Sequence, residues 1–527
     1  MSLPRILSAD RRPSAIRRAL AALAATALLA PAAAVAEAAP AAAQDGKDRI
    51  ARLAGAGSAS AGLVMSDNIE QVGENPSQLA ISGCFMHTAP VFVTSGIDSV
   101  RVYDVSDPLS PTLTGVLPQA LFENEAMTCG ERRTRDGVRR FVLIGVDLVA
   151  AAPTDPQHVN VGGGELIVVD VTDPADPTIT ARAEGLTSTH TVACVDGAQC
   201  RYAYSAGNSG SGTFSVFDLR DLDAPVELDG DRRTEGLQAF PSPTAGHKWN
   251  FDAAGVGTHT GFDGASMWST KKPGRPRLLG TTGAAGAGED PAFEGWNDFI
   301  LHNSFRPHAK RFKPNRKPSL KRGNVLLVTE EDYEQTDCSL AGSFQTWWVK
   351  RLNGKPGSIV PLDKVELSDL GTYPLPVGAF CSSHWFDYRP GGLVAVGFYG
   401  GGTQVLDVSD PREITSHASA VWGASEVWDA MWVPVYKDGE QTKRRTNIVY
   451  AIDLLRGLDV YAVDVTGYGA GSSVQLASSV AVPQRLGSSA TPLVLVGAGV
   501  GRSRGLTHPR PHRHRHHDRK LGGVTAS

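Results

Sequence analysis

Leu166-Ile167-Val168-Val169-Asp170-Val171-Thr172-Asp173-Pro174 is the stretch on which the fold turns. Four apolar residues, three of them β-branched, run without a polar break into an aspartate, and an Asp-Pro turn follows. A run this short, closed by turn residues, predicts a strand. The pattern recurs as Val100-Arg101-Val102-Tyr103-Asp104-Val105-Ser106-Asp107-Pro108 and as Gln404-Val405-Leu406-Asp407-Val408-Ser409-Asp410-Pro411. Weaker copies are Phe214-Ser215-Val216-Phe217-Asp218-Leu219, Ala265-Ser266-Met267-Trp268-Ser269, Phe344-Gln345-Thr346-Trp347-Trp348 and Leu458-Asp459-Val460-Tyr461-Ala462-Val463-Asp464.

Seven units between residues 78 and 466 occupy roughly 55 residues each, close to a four-stranded blade with some long loops. A helical solenoid is excluded by the β-branched content and the missing 3.6-residue period. An array of β-sandwiches is the alternative, but seven similar units closed into a ring remove the exposed edges without capping repeats. The expected fold is all-β, a seven-bladed β-propeller. The Asp-Val-Ser/Thr-Asp-Pro turns lack the dense oxygen ligands of a calcium loop. Asp104, Asp107, Asp170, Asp173, Asp407 and Asp410 are therefore expected to cap backbone amides.

The Leu166-Ile167-Val168-Val169-Asp170 run, with its Asp-Pro, resembles the signature of the LVIVD-repeat proteins. The similarity extends over about residues 78 to 466 and includes Ser188-Thr189-His190-Thr191-Val192 and Ala451-Ile452-Asp453-Leu454-Leu455-Arg456-Gly457. It implies a secreted or surface propeller, largely without assigned activity. More distantly, the layout resembles the selenium-binding protein and methanethiol oxidase propellers, which use histidines in a central site associated with copper.

Composition bounds the function. The chain has 527 residues, a formal net charge of −4, 57 glycines and 33 prolines. It has no chain-wide basic field for nucleic acid. No uninterrupted apolar helix of about 20 residues follows the leader, which excludes a multispan membrane protein. Residues 1–43, with Arg17-Arg18 ahead of an Ala/Leu run and small-x-small sites, read as a signal peptide, by the general or the twin-arginine route. Residues 44–77 read as a flexible lead-in, and 467–527 as a disordered tail rich in His and Arg. A secreted or cell-surface location follows. Six cysteines then suggest disulfides, with Cys194 and Cys200 flanking a turn and the other pairings open.

Aligning the units on their signature strands brings six stretches into register at the start of each unit's first strand. They carry Glu125, His190, His247, His302, His384 and Glu426. First strands line the axial channel of a propeller, so His190, His247, His302 and His384 are expected around one mouth. Imidazoles held by separate strands suit copper, zinc or iron, and carboxylates compensate charge. The candidate metal ligands are these four histidines with Glu125 and Glu331, the latter ending a strand in the unit of His302. A His at a blade start is otherwise an architectural group, bonding neighbouring strands and binding nothing. His158, His259, His308 and His417 fall in turn or loop sequence and are expected to be solvated.

Two functional readings remain open at this point. One is a metal-dependent oxidoreductase acting on a small molecule, with a metal-dependent lyase or hydrolase as a weaker variant. The other is a non-catalytic propeller that binds a surface protein, glycan or polymer. The basic run Lys310–Arg322, expected as a solvated loop, would serve the latter through an anionic polymer.

Overall fold

The computed structural model describes residues 62–469, apart from 77–79, 97, 119–124, 126, 147–163, 186–188, 208–211, 263, 283–298, 333–337, 339–340, 355–357 and 372–380. The signal peptide, most of the lead-in, nearly all of the tail and His158 lie outside the described residues.

Seven four-stranded antiparallel sheets follow one another along the chain. Their first strands are Ala80–Phe85, Thr128–Thr134, Thr191–Cys194, Gly246–Phe251, Ile300–Phe305, Phe386–Arg389 and Val427–Lys437, and we number the blades 1 to 7 in that order. The signature stretches form the third strands: Ser99–Asp104, Gly164–Asp170, Val216–Asp218, Gly264–Ser269, Phe344–Val349, Thr403–Asp407 and Gly457–Val463. Seven apolar clusters hold the sheets together, and each spans two adjacent blades, the last joining blade 7 to blade 1. The ring is closed, and the chain is a seven-bladed β-propeller.

This packing explains the sequence on which the fold turns. Leu166 and Val168 enter the cluster between blades 2 and 3. Ile167 and Val169, on the opposite face, enter the cluster between blades 1 and 2. A third strand is buried on both faces, so alternation vanishes and the run becomes wholly apolar. All four side chains are fully inaccessible, and each contributes about 1.5–3 kcal/mol by burial.

The turn aspartates behave as expected. Asp104, Asp107, Asp170, Asp173, Asp407 and Asp410 each accept the backbone N–H two residues ahead, at 2.8–3.0 Å. Three disulfides form: Cys84–Cys129, which ties the first strands of blades 1 and 2, Cys194–Cys200 and Cys338–Cys381.

The expected lead-in differs from what its sequence suggests. Leu63–Met65 adds a fifth strand to blade 6 by pairing with Thr415–Trp422. Ile69–Asn75 is the outermost strand of blade 7, hydrogen-bonded to Gly457–Val463. Small and polar residues suffice for an outer strand, because only one face packs: Ile69 is buried while Glu70 and Glu74 are exposed.

Candidate metal centre

The six candidate residues meet in one buried cluster. His190 precedes the first strand of blade 3, His247 and His302 lie in those of blades 4 and 5, and His384 precedes that of blade 6. Their imidazoles form an arc across consecutive blades, with ring centroids 4.6 Å (His190 to His247), 4.4 Å (His247 to His302) and 4.0 Å (His302 to His384) apart. Glu125, from the approach to blade 2, reaches into the arc. Its Oε1 lies 2.6 Å from His302 Nε2, 3.0 Å from His384 Nε2 and 3.4 Å from His247 Nε2, and its Oε2 contacts His190 Nε2. Glu331, ending the second strand of blade 5, lies 3.7–3.9 Å from the Nε2 atoms of His247, His302 and His384. All six residues are buried.

Threonine hydroxyls and backbone groups fix these positions. Thr191 donates to the carbonyl of His247 and Thr260 to that of His302, each at 2.5 Å. The backbone N–H of His384 donates to Gly397 at 2.9 Å. Its Nδ1 lies 2.8 Å from the carbonyl of Trp428, which can only accept, so Nδ1 carries a proton and Nε2 is the atom turned to the cluster. Tyr399 donates to Glu331 Oε1 at 2.6 Å and orients that carboxylate. Tyr399 adopts a left-handed backbone, φ 45°, rarely taken by a bulky residue. Glu330, facing the other side of the same strand, is held instead by Ser343 and Gln345.

The electrostatics follow from burial. Desolvation alone would raise the Glu125 carboxyl, but His190, His247 and His302 outweigh it and hold its pKa well below the ordinary value. Burial, with His384 and His247 nearby, pushes His302 well down. Burial also opposes charge on His384, yet Glu125 and Glu331 raise it above the usual histidine value. Tyr399 is pushed well up by burial and by Glu331, so its hydroxyl stays a donor.

The donor set fits a metal ion. Both ring nitrogens of His247 are buried and make no hydrogen bond, although a bare imidazole nitrogen in the interior is costly. Within the six residues, three overlapping triads place their ligand atoms within 4.8 Å of one another: Glu125-His302-His384, Glu125-His190-His247 and His247-His302-Glu331. Carboxylates facing imidazoles in a buried site supply the negative charge that one divalent cation cancels.

Around the cluster are groups that sequence reasoning did not single out. Trp385 packs its indole edge-on to His302, centroids 4.5 Å apart. Lys248 places its Nζ 3.8 Å from the centroid of the Trp385 ring. Both residues stand next to a ligand candidate in the chain, the only signal the sequence offered. Glu426, at the equivalent position in blade 7, accepts from the Trp428 indole at 3.1 Å and stays outside the cluster. His259, expected to be solvated, is fully buried in the second strand of blade 4. Its ring stacks on Trp249, centroids 4.4 Å apart, and Nδ1 lies 2.9 Å from Ser242 Oγ. His417 sits in the outer strand of blade 6, half-buried, with Nε2 2.6 Å from the Asp464 carbonyl, rather than in a loop. His308 is exposed. The basic run from Lys310 folds into two short 3₁₀ turns, Ala309–Arg311 and Leu320–Arg322, anchored by buried Ala309 and Leu320.

Fold and site together define a seven-bladed β-propeller with a buried His/Glu cluster. No family model matches the chain, and no curated protein matches it. Among solved structures, it is similar to the β-propeller domain of Cps50 (Swd1) from Myceliophteria thermophila, with 11% identity and a TM-score of 0.46, over 75% of this chain and 99% of that one.

Proposed function

We propose that His190, His247, His302, His384, Glu125 and Glu331 hold one divalent transition metal, copper, zinc or iron, and that the protein is an exported metal-dependent enzyme acting on a small molecule. The observation that carries this reading is the convergence of four imidazoles from four consecutive blades on two buried carboxylates. A histidine serving blade architecture alone would bond its own neighbours, as His259 does with Ser242; His247 leaves both ring nitrogens without a hydrogen bond. The bound metal would supply Lewis acidity or, for copper and iron, electron transfer. The chain's part is to present imidazole lone pairs, hold Glu331 through Tyr399 and exclude bulk water from the cluster. Oxidoreductase chemistry is the specific activity we assign, on the resemblance of the layout to the histidine-lined propellers. Three disulfides support export.

The test is elemental analysis of the purified chain with the tail residues His508, His512, His514, His516 and His517 changed to alanine. About one equivalent of copper, zinc or iron, lost in His190→Ala and His302→Ala variants that keep their β-sheet spectrum, is the expected result. No metal after reconstitution with each ion would leave the interaction-propeller reading. That reading draws on the exposed cations of the loop running from Lys310 to Arg322.

A further inference from the structure

Two hydrogen-bond donors beside the cluster make no hydrogen bond among the described residues. Lys248 is only 7% exposed, and its ammonium lies against the face of Trp385. A cation over an indole keeps its attraction to the ring but gains no acceptor for its N–H groups. The indole Nε1 of that same Trp385 is also buried without a partner. Interior N–H donors such as this indole are nearly always paired, and a cation beside it favours a charged partner. Burial pushes the Lys248 pKa down to about 7, opposed through space by Glu125 and Asp429, with no ion pair to either within 4.0 Å among the described residues. Trp385 in turn touches the rings of His302 and His384, centroids 4.5 and 5.3 Å away. The two unfilled donors therefore border the cluster where the histidines converge.

The missing partner is an acceptor, and a charged one. A neutral carbonyl would satisfy the indole but leave the ammonium uncompensated; a carboxylate, with two oxygens and a negative charge, answers both. We propose that Lys248 and Trp385 bind the carboxylate of a small organic acid beside the His/Glu cluster, making a carboxylic acid the substrate class of the proposed metal enzyme. This inference rests on the metal reading for its chemistry, but not for its detection. Lys248 is a binding residue in this account and takes no part in bond-making.

The experiment is a calorimetric titration of the zinc-loaded full-length protein with acetate, and with acetamide as the neutral isostere. Acetate is expected to bind at least tenfold more tightly than acetamide. Lys248→Met should weaken acetate at least tenfold, with zinc content and melting temperature kept, and Lys248→Arg should restore most of the affinity. Equal binding of acetate and acetamide, or an acetate affinity unchanged in Lys248→Met, would overturn the proposal. Should Lys248→Met fail to fold, Trp385→Phe decides: it removes the Nε1 donor while keeping an aromatic face for the ammonium, and must weaken acetate several-fold. Failure of the metal reading is seen separately, as absence of zinc. The same titration is then run on the metal-free protein, where absent or Lys248-independent acetate binding sinks the inference and Lys248-dependent binding upholds it.

Discussion

At the scale of single residues, groups just outside the cluster set how well it binds. Tyr399 packs its ring against His384, centroids 4.7 Å apart, and fixes Glu331 through a 2.6 Å hydrogen bond. Outer partners of this kind are worth 10–100-fold in metal affinity, so Tyr399→Phe should weaken zinc by about that factor in a competition titration with a chelator, leaving stoichiometry at one. His259 gives a second prediction. Burial, then His247, pushes its pKa down to about 3. Its neutral form is the folded form, so its contribution to stability is complete above the unfolded pKa of about 6.5 and declines as pH falls toward 3. Unfolding in urea should show the stability gap between wild type and His259→Gln shrinking by about 2 kcal/mol from pH 7 to pH 5; a constant gap would contradict a buried neutral imidazole. The six cluster residues were legible because each occupies a strand-start or strand-end position that unit alignment exposes. Tyr399 was not, because it reaches Glu331 only through a left-handed backbone. His259 was misread because Gly-Thr-His-Thr-Gly looks like a turn. Its glycines serve packing instead: a side chain at Gly257 would meet the rings of Phe251 and Trp249, and one at Gly261 would strike the Ala245 carbonyl.

At the scale of elements, close approach between strands places the ligands. Gly145, in the second strand of blade 2, lies where a Cβ would collide with the carbonyl of Thr189. Thr189 precedes His190, so Gly145→Ala must push that segment away from the axis. We expect this variant to lower metal affinity at least tenfold through His190 alone, measured by zinc competition, while the extended X-ray absorption pattern loses one imidazole. A Gly145→Ala protein with wild-type affinity would show that His190 is not a ligand. Strand composition made the third strands readable, since burial on both faces writes a continuous apolar run. The outer strands were harder. Ile69–Asn75 has one packed face and a sequence, Ile-Glu-Gln-Val-Gly-Glu-Asn, that carries almost no strand signal.

At the scale of the whole molecule, stability depends on closing the ring. Cys84–Cys129 joins neighbouring blades across 45 residues, and Cys338–Cys381 spans 43. Chain entropy assigns each about 4 kcal/mol, so reduction should lower the urea midpoint sharply, and Cys84→Ala/Cys129→Ala should reproduce about half of that loss. Removal of residues 69–75 is expected to cost more than either bridge. It uncovers the hydrogen-bonding edge of Gly457–Val463, and an uncovered edge promotes association; light scattering of the truncated chain during refolding measures it. Repetition told the number of blades from sequence, because seven signature strands count themselves. It could not tell where the circle is sewn shut, since that depends on a strand outside the repeat.

The seam has a consequence for biosynthesis. Ile69–Asn75 leaves the ribosome ahead of its partner Gly457–Val463, with six blades made between them. At about 5–20 residues per second, the first waits on the order of 20–80 seconds for the second. Throughout that interval six blades can assemble while the seventh has neither of its outer two strands in place. The nascent chain is thus an open arc with two adhesive ends until Gly457–Val463 emerges, and a chaperone that shields the first strand would raise the yield of closed rings without touching the finished protein.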